Sequence, residues 1–234
     1  MNKVTVRLMD RDVKGDSPGR RGYHSPRRVE QAAETRRAIL AAARELFVGS
    51  GYAATTVGQI AARARVSVDT VYATVGRKPV VLRELVETAI SGSDQVVPGE
   101  QREYVARMHA AGTARDMLVI YARAITGIQE RLAPVFLALR DAAGTDRECA
   151  ALWAEISQRR ATNMRRLAAD LRATGDLRED LTDDQVADII WSMNAAEYWA
   201  LLVGERAWTP TQFQAWLTDA WTRLLLAQPG SGAS

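Results

Sequence analysis

From about Thr35 onward, apolar positions recur with the period of a helix. Ile39, Leu40, Ala43, Leu46 and Phe47 fall on one face, which predicts a helix from about Thr35 to Val48, stopped by Gly49 and Gly51. Thr56 is a natural N-cap for a second helix. Gln59, three residues on, completes a capping box, and Ile60 and Ala61 supply the inward face. Ser67 caps a third helix from Val68 to about Thr74, and Lys78 with Pro79 opens a fourth that ends near Ile90. Only Ala64, Arg65 and Val66 separate the second helix from the third. Two short helices across a tight turn, with the small Ala61 where they approach, form a helix-turn-helix. The later helix of such a pair is the one laid in the major groove of DNA.

The helical period continues beyond Ser91. Thr113 caps a stripe of Met117, Ile120, Tyr121, Ala124 and Ile128, and Pro134 is expected to interrupt the segment that follows. A long helix is predicted from about Asp146 to Thr174, closed by Gly175. Thr182 with Gln185 opens another, running to Val203, and Thr209 with Pro210 opens the last, running to Gln228. No strand pattern and no internal repeat emerges. The fold class is all-α: a three-helix helix-turn-helix domain followed by a larger helical domain. The expected divisions are a disordered basic tail over 1–32, the helix-turn-helix domain over 33–93, the larger domain over 94–228 and a disordered tail over 229–234.

Composition narrows the function by exclusion. Apolar residues make up 47% of the 234, enough for a sizeable core, yet no stretch approaches the roughly 20 apolar residues of a membrane helix. The charged N-terminus lacks the apolar region of a secretory signal, so a cytoplasmic protein that does not associate with membranes is the simplest expectation. Cys149 stands alone, which excludes an intramolecular disulfide and a multi-cysteine zinc site. His24 and His109 are the only histidines, and no nucleophile motif, phosphate-cradling loop or metal-ligand spacing accompanies them. An enzyme is therefore not expected, nor a catalytic residue, a metal or a cofactor. The net charge of +3 is unevenly spread: residues 1–90 carry 16 Lys and Arg against 9 Asp and Glu, and the remainder carry 15 against 19. Basic charge gathered at the helix-turn-helix end suits a partner that bears phosphates.

The run Thr35-Arg36-Arg37-Ala38-Ile39-Leu40, Ala43, Leu46-Phe47, Gly51-Tyr52, Thr55-Thr56-Val57, Ile60-Ala61, Val66-Ser67, Thr70-Val71-Tyr72 and Lys78 before Leu82 resembles the TetR family of bacterial repressors. The resemblance covers about residues 33–93. Arg65 stands where that family usually has a turn glycine, and Val75 where an aromatic is usual. The resemblance implies binding to double-stranded operator DNA as a homodimer joined through the last two helices, here Thr182 to Val203 and Thr209 to Gln228. A two-fold dimer of this kind reads a palindromic operator.

Candidate DNA-binding residues follow. Thr56 and Ser67 cap helices and would present backbone N–H groups to phosphate, with Gln59 beside Thr56. Thr70 can bond a base edge or phosphate, Val68 can touch a thymine methyl, and Asp69 either favours the helix N-terminus or accepts from cytosine. Tyr72 either resembles the family's backbone-contacting tyrosine or caps a small core. Lys78, unfavourable for the helix dipole at a helix start, is expected on a phosphate, and Arg36, Arg37 and Arg65 are phosphate candidates whose default is an ordinary solvated surface. Arg20, Arg21, Arg27 and Arg28 form a basic arm that either enters the minor groove or adds salt-sensitive, non-specific affinity.

In the larger domain, flexible, aromatic and polar side chains suggest a ligand pocket lined by His109, Met117, Tyr121, Trp153, Asn163, Trp191, Asn194, Glu197 and Tyr198, with Met108 beside them, suited to an apolar or aromatic small-molecule effector. Each of these also reads as ordinary core or interface. Two functions remain open: a repressor released from its operator by a small molecule, or a DNA-binding regulator without a ligand, constitutive or controlled by a protein partner. A closed core in the larger domain favours the second, and a sizeable apolar cavity counts against it.

Overall fold

A computed structural model describes residues 26–93 and 97–227. Among these residues there are ten α-helices and no strand, only an isolated bridge between Leu177 and Leu226. The first domain comprises α1 (Pro26–Ser50), α2 (Val57–Ala64) and α3 (Val68–Thr74), with α4 (Lys78–Ser91) leading out of it. Ile39, Ala43, Phe47, Ile60, Val71, Val81 and Leu82 bury their side chains in its core. α1 begins nine residues before the expected Thr35, so 26–32, assigned to the tail from sequence, are helical. The polar residues there bury little and give no hydrophobic period to read. Arg27 and Arg28 lie exposed in the first turn of α1, whereas Arg20, Arg21 and the rest of the expected tails lie outside the described residues.

The second domain is built on α6 (Ala114–Ala143), a 30-residue helix that packs against α4 and against α5 (Glu103–His109), α7 (Arg147–Ala173), α9 (Ala196–Trp199) and α10 (Pro210–Leu225). Pro134 sits inside α6 instead of interrupting it. One intrahelical bond is lost there, and burial of Ala133, Val135 and Phe136 on either side holds the helix through the gap.

The segment expected as one helix from Thr182 to Val203 is broken. α8 (Asp183–Met193) ends at Asn194, Ala195 is extended, α9 resumes, and a π-helical stretch covers Ala200–Glu205. Asn194 is 2% exposed, and its side chain bonds to α6 and α7. That tertiary demand overrides local helix propensity. The capping boxes at Thr56, Thr182 and Thr209 are all formed.

The two domains are tied along α4 and α7. Arg77 meets Glu148 at 2.9 Å, Arg83 meets Glu155 at 2.8 Å, and Glu87 meets Arg159 at 2.8 Å. These partners rise together along both helices, so the two run parallel. At the N-terminal end Tyr52 donates its hydroxyl to Asp146, the N-cap of α7, at 3.1 Å. Burial pushes the Tyr52 hydroxyl well above its ordinary range. Asp146 is held below the usual carboxylate range, first by the backbone N–H of Cys149 and also by Tyr52.

Candidate nucleic-acid interface and effector cavity

α3 is amphipathic in the manner a groove-reading helix requires. Val71 is fully buried while Val68 and Tyr72 are 40% and 49% exposed, and Asp69 is also exposed. An exposed valine and tyrosine on a seven-residue helix cost solvation with no gain inside the domain. Tyr72 therefore does not cap the core. The Ser67 hydroxyl accepts from the Thr70 N–H at 3.0 Å and lies 2.8 Å from the Thr70 hydroxyl, fixing the N-terminal turn. At α2, the Thr56 hydroxyl accepts from the Gln59 N–H at 3.2 Å, and Gln59 Oε1 accepts from the Thr56 N–H at 2.7 Å. Gln59 is exposed, but its carbonyl is spent on the cap.

Arg65 closes α2 in the left-handed conformation, φ 58° and ψ 42°. Its N–H donates to Ala62 and that of Val66 to Ala61, so the turn keeps its hydrogen bonds despite the missing glycine. The Arg65 side chain is exposed beside α3 in sequence. Val75 is buried at the C-terminal cap of α3 and fills the aromatic's usual place with a smaller group.

Three of the phosphate candidates have partners within the protein. The Lys78 ammonium donates to the carbonyls of Tyr52 and Thr55, at 2.9 and 3.1 Å, and stands 4.0 Å from the centre of the Tyr52 ring. Its position at a helix start is explained by the turn it pins. Arg36 pairs with Glu84 of α4 at 2.6 Å, and Arg37 with Glu30 at 3.1 Å.

The second domain encloses a cavity of about 470 Å³ bounded by α4, α5, α6, α7 and the break at Asn194. Of the residues expected in a pocket, Tyr121 and Asn194 line it from inside, and His109 and Asn163 are exposed at its edge. Met108 joins them. The remaining five do not line it. Met117 is buried elsewhere in the core, Trp153 stacks on Phe136 at 4.4 Å, and Trp191 lies under the Arg160 guanidinium at 5.1 Å. Glu197 pairs with Arg140 at 2.9 Å, and Tyr198 packs on Trp216 at 5.5 Å on the outer face of the last helices.

Sequence reasoning missed Glu87, Gln129, Arg159 and Arg160, which also line the cavity. Gln129 had a signal: it falls on the apolar stripe of Tyr121, Ile125 and Leu132, where a polar residue stands out. Arg160 had none, since it sits in the polar run Gln158-Arg159-Arg160.

Residues 39–74 match the family model for bacterial regulatory proteins of the tetR family. The first domain is thus similar in sequence to the tetR family. Solved structures extend the likeness to the whole fold. NalD, the secondary repressor of the MexAB-OprM multidrug efflux pump in Pseudomonas aeruginosa, aligns with a TM-score of 0.66 at 22% identity, over 85% of this chain and 99% of its own. The fatty acid degradation regulator FadR from Bacillus halodurans gives 0.66 at 18%, over 86% and 97%. The MbdR regulator from Azoarcus sp. CIB gives 0.64 at 23%, over 82% and 100%. Among curated proteins no significant sequence relative is found. In this TetR-type architecture α2 and α3 are the helix-turn-helix, and α4 joins it to the domain holding the cavity. Among the described residues no helix is long and apolar enough to cross a membrane, and no cluster of His, Cys, Asp and Glu suits a metal ion.

Proposed function

We propose that this protein is a homodimeric repressor that reads a palindromic operator through α3 and is released by a small molecule bound in the cavity. The observation that carries this reading is the position of α4. One end follows the helix-turn-helix directly, and at the other Glu87 and Ile90 form part of the cavity wall. A ligand that fits better when α4 is displaced shifts the population towards a spacing of recognition helices that fits DNA poorly. The sizeable cavity counts against the ligand-free alternative. Val68, Asp69, Thr70 and Tyr72 are the base- and backbone-reading candidates on α3, with the capped N-termini at Thr56 and Ser67 for phosphates. The dimer forms through α8 to α10, where Tyr198, Leu201 and Leu224 leave apolar surface exposed.

Selection of sites from a random DNA pool by the purified full chain, at near-physiological salt, tests the DNA half. Enrichment of a palindrome is expected. A folded protein that enriches no sequence overturns the reading of α3.

A further inference from the structure

Arg160 lines the cavity and forms no ion pair among the described residues. The guanidinium is half-buried, donates to Asn194 Oδ1 at 2.6 Å and to the Trp191 carbonyl at 3.1 Å, and lies near the Phe136 and Trp191 rings. Among the described residues no carboxylate lies within ion-pair distance of it. Burial pulls its proton affinity below the ordinary arginine value, although Glu197, itself paired with Arg140, acts on it from beyond ion-pair distance.

The cavity's carboxylates do not fill that place. Glu87 is paired with Arg159, Asp170 faces His109 at 3.4 Å, and Glu100 is exposed at the edge. A second inner group is also incomplete. Gln129 is 3% exposed, and its amide N–H donates to the Asn194 carbonyl, which fixes the orientation of the amide. Its Oε1 is buried with no partner. Gln129 and Arg160 both bond to Asn194, so an unused acceptor and a cation without an ion-pair partner share a neighbour. Ile125, Ile128, Leu132, Ile156 and Leu167 make the rest of the inner wall apolar.

We infer that the cavity takes an organic acid: its carboxylate sits on Arg160, a hydrogen-bond donor beside the carboxylate meets Gln129 Oε1, and an apolar body fills the aliphatic wall. This rests on the effector reading of the cavity and gives that effector a chemical class. Arginine suits the role because its planar fork bonds both oxygens of a carboxylate. A cationic effector would need carboxylates or an aromatic cage at the inner end, where the structure has Arg160.

The test is calorimetric titration of the full chain with 4-phenylbutyrate, 4-phenylbutan-1-ol and 4-phenylbutylammonium, which share one body and differ in head group. The carboxylate is expected to bind at least tenfold more tightly than the alcohol, and 2-hydroxy-4-phenylbutyrate more tightly again. Arg160→Met removes the preference for the acid and keeps affinity for the alcohol, while Arg160→Lys retains part of the preference. The selectivity of the unmodified chain decides the matter even where a variant fails to fold. Equal binding of acid and alcohol, or preference for the ammonium, overturns the organic-acid assignment and leaves the effector site standing. Binding of none of the probes, by a protein that still selects DNA, overturns the effector reading together with it. Equal affinity of the two acids removes Gln129 from the site.

Discussion

Arg65 and Lys78 show how single residues set the geometry of the two turns that flank α2. A non-glycine residue in the left-handed region carries about 1–2 kcal/mol of steric cost. Arg65→Gly is therefore expected to raise the stability of the chain by about 1 kcal/mol in urea or thermal unfolding. If Arg65 also meets phosphate, the same variant loses DNA affinity and flattens its salt dependence. Lys78 presents the opposite case. Because its ammonium bonds two carbonyls of the α1–α2 connection, Lys78→Met should destabilise the chain by about 1–3 kcal/mol. The slope of operator affinity against salt should stay unchanged, whereas a phosphate-bound lysine would flatten it by about one ion. Thr70→Ala, in contrast, is expected to relax preference at particular base pairs in a repeated site selection, with little effect on stability.

Helix α4 is an element whose ends answer to different partners. Its ion pairs with α7 are largely exposed, so each contributes little, about 0.2–1 kcal/mol. Arg83→Ala should accordingly shift stability by less than about 1 kcal/mol, and a loss of several would mean that the helices depend on the pair far more than its exposure suggests. The two carboxylates at this contact that are held below their ordinary range, Asp146 by backbone N–H groups and Glu155 by Arg83, give the contact an acid limit. A lowered folded-state value means that the stabilisation is complete above the unfolded carboxylate range, near pH 5, and is lost as pH falls through about 4 and below. Replacing Asp146 with Asn should flatten the acid limb of a stability–pH curve while lowering stability at neutral pH.

At the scale of the whole molecule, the apolar surface left by the last helices supports the proposed second copy. Leu201, 47% exposed, and Tyr198 packed on Trp216 place uncovered apolar area on that face. Leu201→Glu is expected to bring the mass in sedimentation equilibrium from that of a dimer towards 25.7 kDa. Operator affinity should fall with it, because a single helix-turn-helix reads only one half-site. A variant that stays dimeric would move the interface elsewhere.

What was legible in the sequence was whatever depends on neighbours within one or two turns. The caps at Thr56, Ser67, Thr113, Thr182 and Thr209 lie where side chain and backbone meet over three residues, and the structure forms each of them. The helix-turn-helix, the all-α class and the exposed outer face of α3 follow from the same short-range periodicity. Contacts between distant elements were not legible. The break at Asn194, the passage of α6 through Pro134, the spending of Lys78 on two carbonyls and the placing of Arg160 beside a cavity each depend on residues 20 or more positions away or on packing along a whole helix. Local sequence thus determined which helices form and which way they face. Only the tertiary structure decided which polar groups were left without partners, because an unmet hydrogen bond or charge is a property of everything that surrounds it.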